Sequence, residues 1–201
     1  MLIPLRNYSN YSICESNIKV EDLVEFASKN KLPAIALTDY KLLSGALEFS
    51  IKCKKKGIQP ILGLDVDYLS SLGNVSRITI ISRNELGFKN INILSTKINT
   101  EKNFLLSINN INEFSEGNIL IMGGLYSLFE KISLNIKNFK KLNEEINTLK
   151  KKFNNDLFFE LDLNLDNSFI YEISKKLNIN LFLSSFSFYK NKDDFPAMRI
   201  L

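Results

Sequence analysis

No histidine and no tryptophan occur in the 201 residues of this chain, and it has only four prolines, eight glycines and two cysteines. The absence of histidine excludes imidazole acid–base catalysis, nucleophilic triads built on that ring and every histidine-containing zinc set. Cys14 and Cys53 lie far apart with no CxxC spacing, so both are expected to be reduced, unremarkable thiols. No apolar run approaches the ~18 residues of a membrane span, and the N-terminus turns polar after a single early arginine. A cytoplasmic location with no membrane contact is the expectation. Neither GxGxxG after the first strand nor GxxxxGK[ST] anywhere is present, which removes the best signals for a nucleotide-binding fold.

Charge is nearly balanced. Lysine and arginine number 26 against 22 acidic residues, a formal net charge of +4, and the lysines are dispersed among the acids. That pattern describes a solvated surface with mild attraction to polyanions. With 45% hydrophobic residues the chain can bury a sizeable core, and a single domain over 1–201 is expected.

Short apolar runs alternate with helix-period segments through the first hundred residues, the pattern of βα units and a parallel sheet. Leu2 to Leu5 reads as a first strand. Ile18 to Lys29 reads as a helix with Asn17 as cap, and Pro33 to Thr38 as a strand buried on both faces that ends at Asp39 and Tyr40. A second helix runs from Ser44, its cap, to Lys56 and stops at Gly57. Ile61 to Val66 and Arg77 to Ser82 are strands around a turn at 71–74. Glu85 to Thr96 is a helix, and Asn118 to Met122 a strand leading into Gly123 and Gly124. Along Ile136 to Phe153 the apolar residues step by three or four and leave Glu144, Glu145 and several lysines pointing outward. Leu157 to Leu163 and Leu181 to Ser184 complete the strands, with a helix from Asn167 to Leu177 capped by Asp166. These repeats fit an α/β fold of the distorted (β/α)7 barrel type better than an open sheet.

Two carboxylates, Asp39 and Asp65, fall at strand ends, where a pair could serve acid–base work if one pKa were raised and a pocket lay beside them. Capping of the strand ends is the simpler role. Tyr8, Tyr11 and Tyr40 gather near the same rim and are expected to pack into it.

Several stretches in register resemble a known family. Tyr11-Ser12, Ile18 to Val24, Leu32-Pro-Ala-Ile-Ala-Leu-Thr-Asp39, Ser44 to Phe49 and Gly57 to Asp65 resemble, in order, the N-terminal PHP (polymerase and histidinol phosphatase) domain of the bacterial replicative DNA polymerase, the polymerase III alpha subunit. Weaker likeness continues through Gly87 to Asn90, Glu116 to Leu120, Phe158 to Leu161 and Leu177 to Tyr189. The resemblance implies the PHP fold, with a site at the C-terminal strand ends. In metal-binding members that site carries histidines where this chain has Pro4, Arg6 and Tyr8, Thr-Asp-His where it has Thr38-Asp39-Tyr40, and a glutamate at Asp65. A further histidine falls near Asn164, and Asp-x-His matches Phe186-Ser187-Phe188.

Asp39, Asp65 and Glu15 are the oxygen donors left, too few to hold a hydrolytic metal, and Arg6 brings fixed positive charge. The resemblance therefore implies a degenerate metal site with no catalytic residue and no bound cofactor in this segment. Its vestigial positions are Arg6, Tyr8, Glu15, Asp39, Tyr40, Asp65, Asn164, Phe186 and Phe188. It further implies a scaffold and docking domain for DNA replication whose partners are the proofreading exonuclease subunit and the rest of the polymerase III holoenzyme. DNA is contacted through the parent chain. The nucleotidyltransferase chemistry, with Mg²⁺, belongs to that chain, expected to continue past Leu201. Two alternatives are weighed: a metal-dependent phosphoesterase using Asp39, Asp65 and Glu15, and a nucleic-acid-binding module using Lys54 to Lys56 and Lys150 to Lys152.

Overall fold

The structure is a computed structural model that describes residues 3–124, 126–130, 136–163, 165–184 and 187. It divides into two compact units, Met1–Leu64 with Phe186–Leu201, and Asp65–Ser185. Each is described by itself.

In the first unit, helix α1 (Val20–Lys29) buries Val20, Leu23, Val24 and Ala27, the stripe expected from its spacing. It begins later than expected: Lys19, not Asn17, holds the N-cap position. Strand β1 (Ala34–Leu37) is buried at all four positions, as a strand covered on both faces must be. Helix α2 (Ala46–Lys55) places Phe49 and Cys53 against the α1 stripe, and Gly45 stands at its N-cap in place of Ser44. Strand β2 (Gln59–Leu69) supplies its first half here, where Ala34 to Leu37 pair in parallel with Gln59 to Leu62.

The expected first strand does not form over residues 3–6, and Leu2 lies outside the described residues. Ala36 N–H donates to the Pro4 carbonyl, but Thr38 N–H donates to that of Asn7, so three residues oppose two and the register slips by one. The Asn7 side chain repairs the gap by donating from Nδ2 to the Ala36 carbonyl at 2.9 Å. A side-chain amide thus replaces a backbone donor in the ladder.

In the second unit the hydrogen-bonded order is β2, β3 (Val75–Ser82), β5 (Asn118–Gly123), β6 (Leu157–Asp162) and β7 (Asn180–Ser184), with the short β4 (Leu106–Ser107) parallel to β2. Pairs β5–β6 and β6–β7 are parallel, whereas β3–β5 is antiparallel. The sequence pattern of the first hundred residues implies a parallel sheet, with a turn at 71–74 between two of its strands. The connection from β2 to β3 holds only residues 70–74, too few for a crossover, and so one strand runs against the others.

Helix α3 (Glu85–Thr100) is capped by Asn84, whose side chain accepts from Gly87 N–H, and continues a turn beyond the expected Thr96. Helix α4 spans Ile136–Phe153, as its periodicity requires, and buries Leu142, Ile146, Leu149 and Phe153. It departs from expectation at Glu145, which is buried. Helix α5 (Ser168–Leu177) has Asn167 at the N-cap, while Asp166 accepts from Ser168 N–H. Among the described residues no helix is long and apolar enough to cross a membrane.

Candidate functional site

In the first unit the loop between Asn7 and α1 is organised by one carboxylate. Asp39, only 2% exposed, follows β1 and faces this loop. Its Oδ1 accepts from Ser9 N–H at 2.6 Å and from Ser12 Oγ at 2.6 Å, and its Oδ2 accepts from Ser9 Oγ at 2.7 Å. The two hydroxyls relay the order outward, because Ser9 Oγ accepts from Tyr11 N–H and Ser12 Oγ from Tyr40 N–H. Gly45 closes the remaining side: a Cβ there would come within 3.2 Å of Asp39 Oδ2 and 2.8 Å of the Tyr11 ring.

Burial raises the Asp39 pKa above its ordinary value of 3.8, and the hydrogen bonds from Ser12 and Ser9 act in the opposite sense. A raised value in the folded chain means that the native state takes up this proton before the unfolded state as pH falls. Stability contributed by Asp39 therefore grows on acidification towards the ordinary carboxylate range and is lost as pH rises through the folded value. Asp39→Asn, which lacks this titration, is expected to differ from the native chain by an amount that changes in the native chain's favour between about pH 7 and about pH 4 in urea unfolding. A constant difference across that range would refute the assignment.

The other expected positions of this unit have distinct surroundings. Arg6 and Tyr8 are fully buried, while Glu15 and Tyr40 are half-buried. Tyr11 donates from its hydroxyl to Glu48, and the Lys41 ammonium stands over the Tyr40 ring. In the second unit, Asp65 is fully buried and its Oδ1 accepts from Thr79 Oγ1 at 2.6 Å. Asn164, Phe186 and Phe188 lie outside the described residues.

Three buried acids of the second unit were missed as buried groups: Glu145, Glu160 and Asp162. The signal for two of them is legible in Phe158-Phe-Glu-Leu-Asp162, where charge interrupts an apolar strand. Nothing comparable marks Glu145, which lies on a helix among outward-facing charges.

The lysines invoked for nucleic-acid binding are used locally in part. Lys150 donates to the Leu177 carbonyl at the end of α5, and Lys152 lies 3.4 Å from the Ile108 carbonyl.

A divalent metal of the kind held by metal-binding members of the family the sequence resembles does not fit the described residues. Among the described residues no three histidine, cysteine, aspartate or glutamate side chains converge as ligands. Asp39, one of the three oxygen donors expected there, directs both oxygens at serine donors. A hydrolytic metal needs several converging donors plus an open position for water.

Comparison with known proteins places these elements. The family model described as PHP domain matches residues 4–164. The DNA polymerase III subunit alpha of Borreliella burgdorferi is 30% identical over an alignment of 220 positions that covers 99% of this chain and 19% of that protein. The corresponding subunit of Rickettsia felis is 43% identical over 94 positions, 47% of this chain and 8% of its own length. The chain thus spans a fifth or less of the curated relatives it matches. Among solved structures, an amidohydrolase from Chromobacterium violaceum superposes with a TM-score of 0.61 at 9% identity, covering 98% of this chain and 96% of that one. A two-domain protein from Bacteroides vulgatus, described as containing a predicted PHP-like metal-dependent phosphoesterase, superposes with a TM-score of 0.58 at 12% identity over 93% of this chain and 52% of its own. At such identities these likenesses show the fold, and the α/β class expected from the sequence is borne out.

Proposed function

This chain belongs to the PHP domain family, and we propose that it acts as the PHP domain of a DNA polymerase III alpha subunit, a non-catalytic scaffold and docking element in DNA replication. The polymerase context rests on the alpha-subunit relatives. The non-catalytic role rests on one observation: Asp39, one of the three carboxylates left at the positions the resemblance assigns to a metal site, has both oxygens taken up in holding a loop. In such a protein the nucleotidyl transfer, and the Mg²⁺ it uses, fall to other parts of the polymerase. This domain contributes stability and a surface for the proofreading exonuclease subunit.

Metal analysis and a phosphatase assay on the purified chain test the reading. The expected result is no stoichiometric Zn²⁺, Mn²⁺ or Mg²⁺ and no turnover of a phosphomonoester above background. Bound metal at one or more ions per chain, with turnover abolished by Asp39→Ala, would overturn it in favour of a metal-dependent phosphoesterase. Docking is tested separately by co-purification with the exonuclease subunit, and failure to associate at micromolar concentration removes that part of the proposal.

A further inference from the structure

Helix α2 presents two stripes of different use. Ala46, Phe49 and Cys53 are buried, whereas Leu47, Ile51, Lys54 and Lys55 are exposed. The exposed four stand at i, i+4, i+7 and i+8, one side of a helix, where water favours polar residues throughout. Its first two places are nevertheless apolar, with Leu47 73% and Ile51 47% exposed. A single exposed leucine is ordinary, but two apolar side chains one turn apart form a ridge that another surface can cover. The charge beside that ridge is uneven. Lys52 pairs with Glu21 and with Glu48 at 3.5 Å, while among the described residues Lys54, Lys55 and Lys56 stand in no ion pair. Lys54 also lines a depression of about 480 Å³ together with Pro33, Ser50, Gly57 and Gln59.

We propose that this ridge docks an amphipathic helix of a partner protein, antiparallel to α2, with two or three acids in its first turn and two apolar side chains a turn further on. Charge complementarity selects that occupant. In the antiparallel arrangement the partner's first turn lies beside Lys54, Lys55 and Lys56, and its apolar pair covers Ile51 and Leu47. Acids in a first turn are favoured by the helix's own dipole, so one set of carboxylates both stabilises the partner helix and meets the lysines. The depression beside Lys54 leaves room for that acidic turn. The proposal does not rest on the polymerase reading above.

Other occupants match this surface less well. A second copy of α2 offers one acid in its first turn, Glu48, already engaged by Lys52 and by the Tyr11 hydroxyl. Nucleic acid would use the lysines and leave Leu47 and Ile51 in water. An anionic membrane would meet Glu21 and Glu48 on the flank and gain only two apolar side chains.

Two synthetic helical peptides titrated against the whole chain by fluorescence anisotropy test it: both carry leucines at i and i+4, one behind three glutamates and the other behind three lysines. The acidic peptide is expected to bind with a dissociation constant of order 100 µM, about tenfold or more tighter than the basic one. Leu47→Ser with Ile51→Ser should weaken it about tenfold at an unchanged melting temperature. Lys54→Glu with Lys55→Glu should reverse the preference between the peptides. Equal binding of the two peptides, no binding of either, or binding indifferent to Leu47→Ser with Ile51→Ser would overturn the proposal. So would a dimer in sedimentation, binding of an oligothymidylate, or pelleting with phosphatidylserine vesicles that the same double variant abolishes, because the ridge would then serve that ligand.

Discussion

Gly87→Ala is expected to cost the second unit roughly 3–5 kcal/mol, a loss of about 10 °C in melting temperature at the usual few degrees per kcal/mol for a chain of this size. A Cβ at Gly87 would stand 1.9 Å from the Gly117 carbonyl oxygen and 2.6 Å from its carbonyl carbon. Those are backbone atoms, so no side chain can rotate away, and Gly117 O is already fixed as the acceptor of Arg83 N–H. The crowding is reciprocal: a Cβ at Gly117, where φ is +73°, would lie 2.3 Å from Asn84 Oδ1 and 2.6 Å from Gly87 N. Relief would require the first turn of α3 to lift off the segment preceding β5, which would break the Asn84 cap.

Gly73→Ala is the control. Its φ is +82° with nothing within 4 Å, so it isolates left-handed backbone strain, of order 1 kcal/mol, from the clash. Thermal and urea unfolding of the two variants side by side decide the matter. If Gly87→Ala melts no lower than Gly73→Ala, the close approach of the two backbones is wrong.

The same two glycines show what a sequence can and cannot disclose. Gly87 to Asn90 and Glu116 to Leu120 were recognisable as stretches resembling the PHP family, yet nothing in either says that the two touch. The contact spans thirty residues and is set by how α3 returns to the sheet. Local periodicity, by contrast, was sufficient for α4 and for the buried stripe of α1, because those elements are decided by which residues must leave water. It failed over residues 3–5, where the propensity for a strand lost to a one-residue slip opposite Ala36 and Thr38 that only the fold imposes. At the candidate site, Asp39 was legible as a residue to single out. Its use was not, since the serines that take both oxygens lie 30 and 27 residues earlier and look like ordinary loop polar residues.

Glu145→Ala is expected to be the other severe substitution, for a reason opposite to crowding. Glu145 was read as an outward charge on α4, but it lies three residues after Leu142 and one before Ile146, on the edge of the buried stripe, and is 3% exposed. Its Oε1 accepts from Tyr68 Oη at 2.5 Å, and its Oε2 from Ser71 N–H at 3.0 Å and Ser71 Oγ at 2.6 Å. One carboxylate thus fastens α4 to the end of β2 and to the turn that reverses the chain into β3.

Truncation to alanine strands a buried tyrosine hydroxyl and a backbone N–H as well as emptying the space, for roughly 3–5 kcal/mol in all. Tyr68→Phe removes a single donor and leaves Glu145 held by Ser71, so a smaller loss of about 1–2 kcal/mol is expected. Glu145→Gln keeps the shape but presents an N–H pair to at least one of those donors, and should fall between the two.

The Tyr68 pKa is raised by burial and then by the neighbouring Glu145 carboxylate. The unfolded chain therefore ionises this tyrosine first as pH climbs past its ordinary value near 10, and stability is lost in that direction. Tyr68→Phe should flatten the alkaline decline in unfolding free energy, and Glu145→Gln should flatten it in part, by the share that the carboxylate adds to burial. Urea melts at about pH 8 and about pH 10.5 on the native chain, Tyr68→Phe and Glu145→Gln separate the two causes, and a Glu145→Gln slope equal to the native one would remove Glu145 as the fastening of α4.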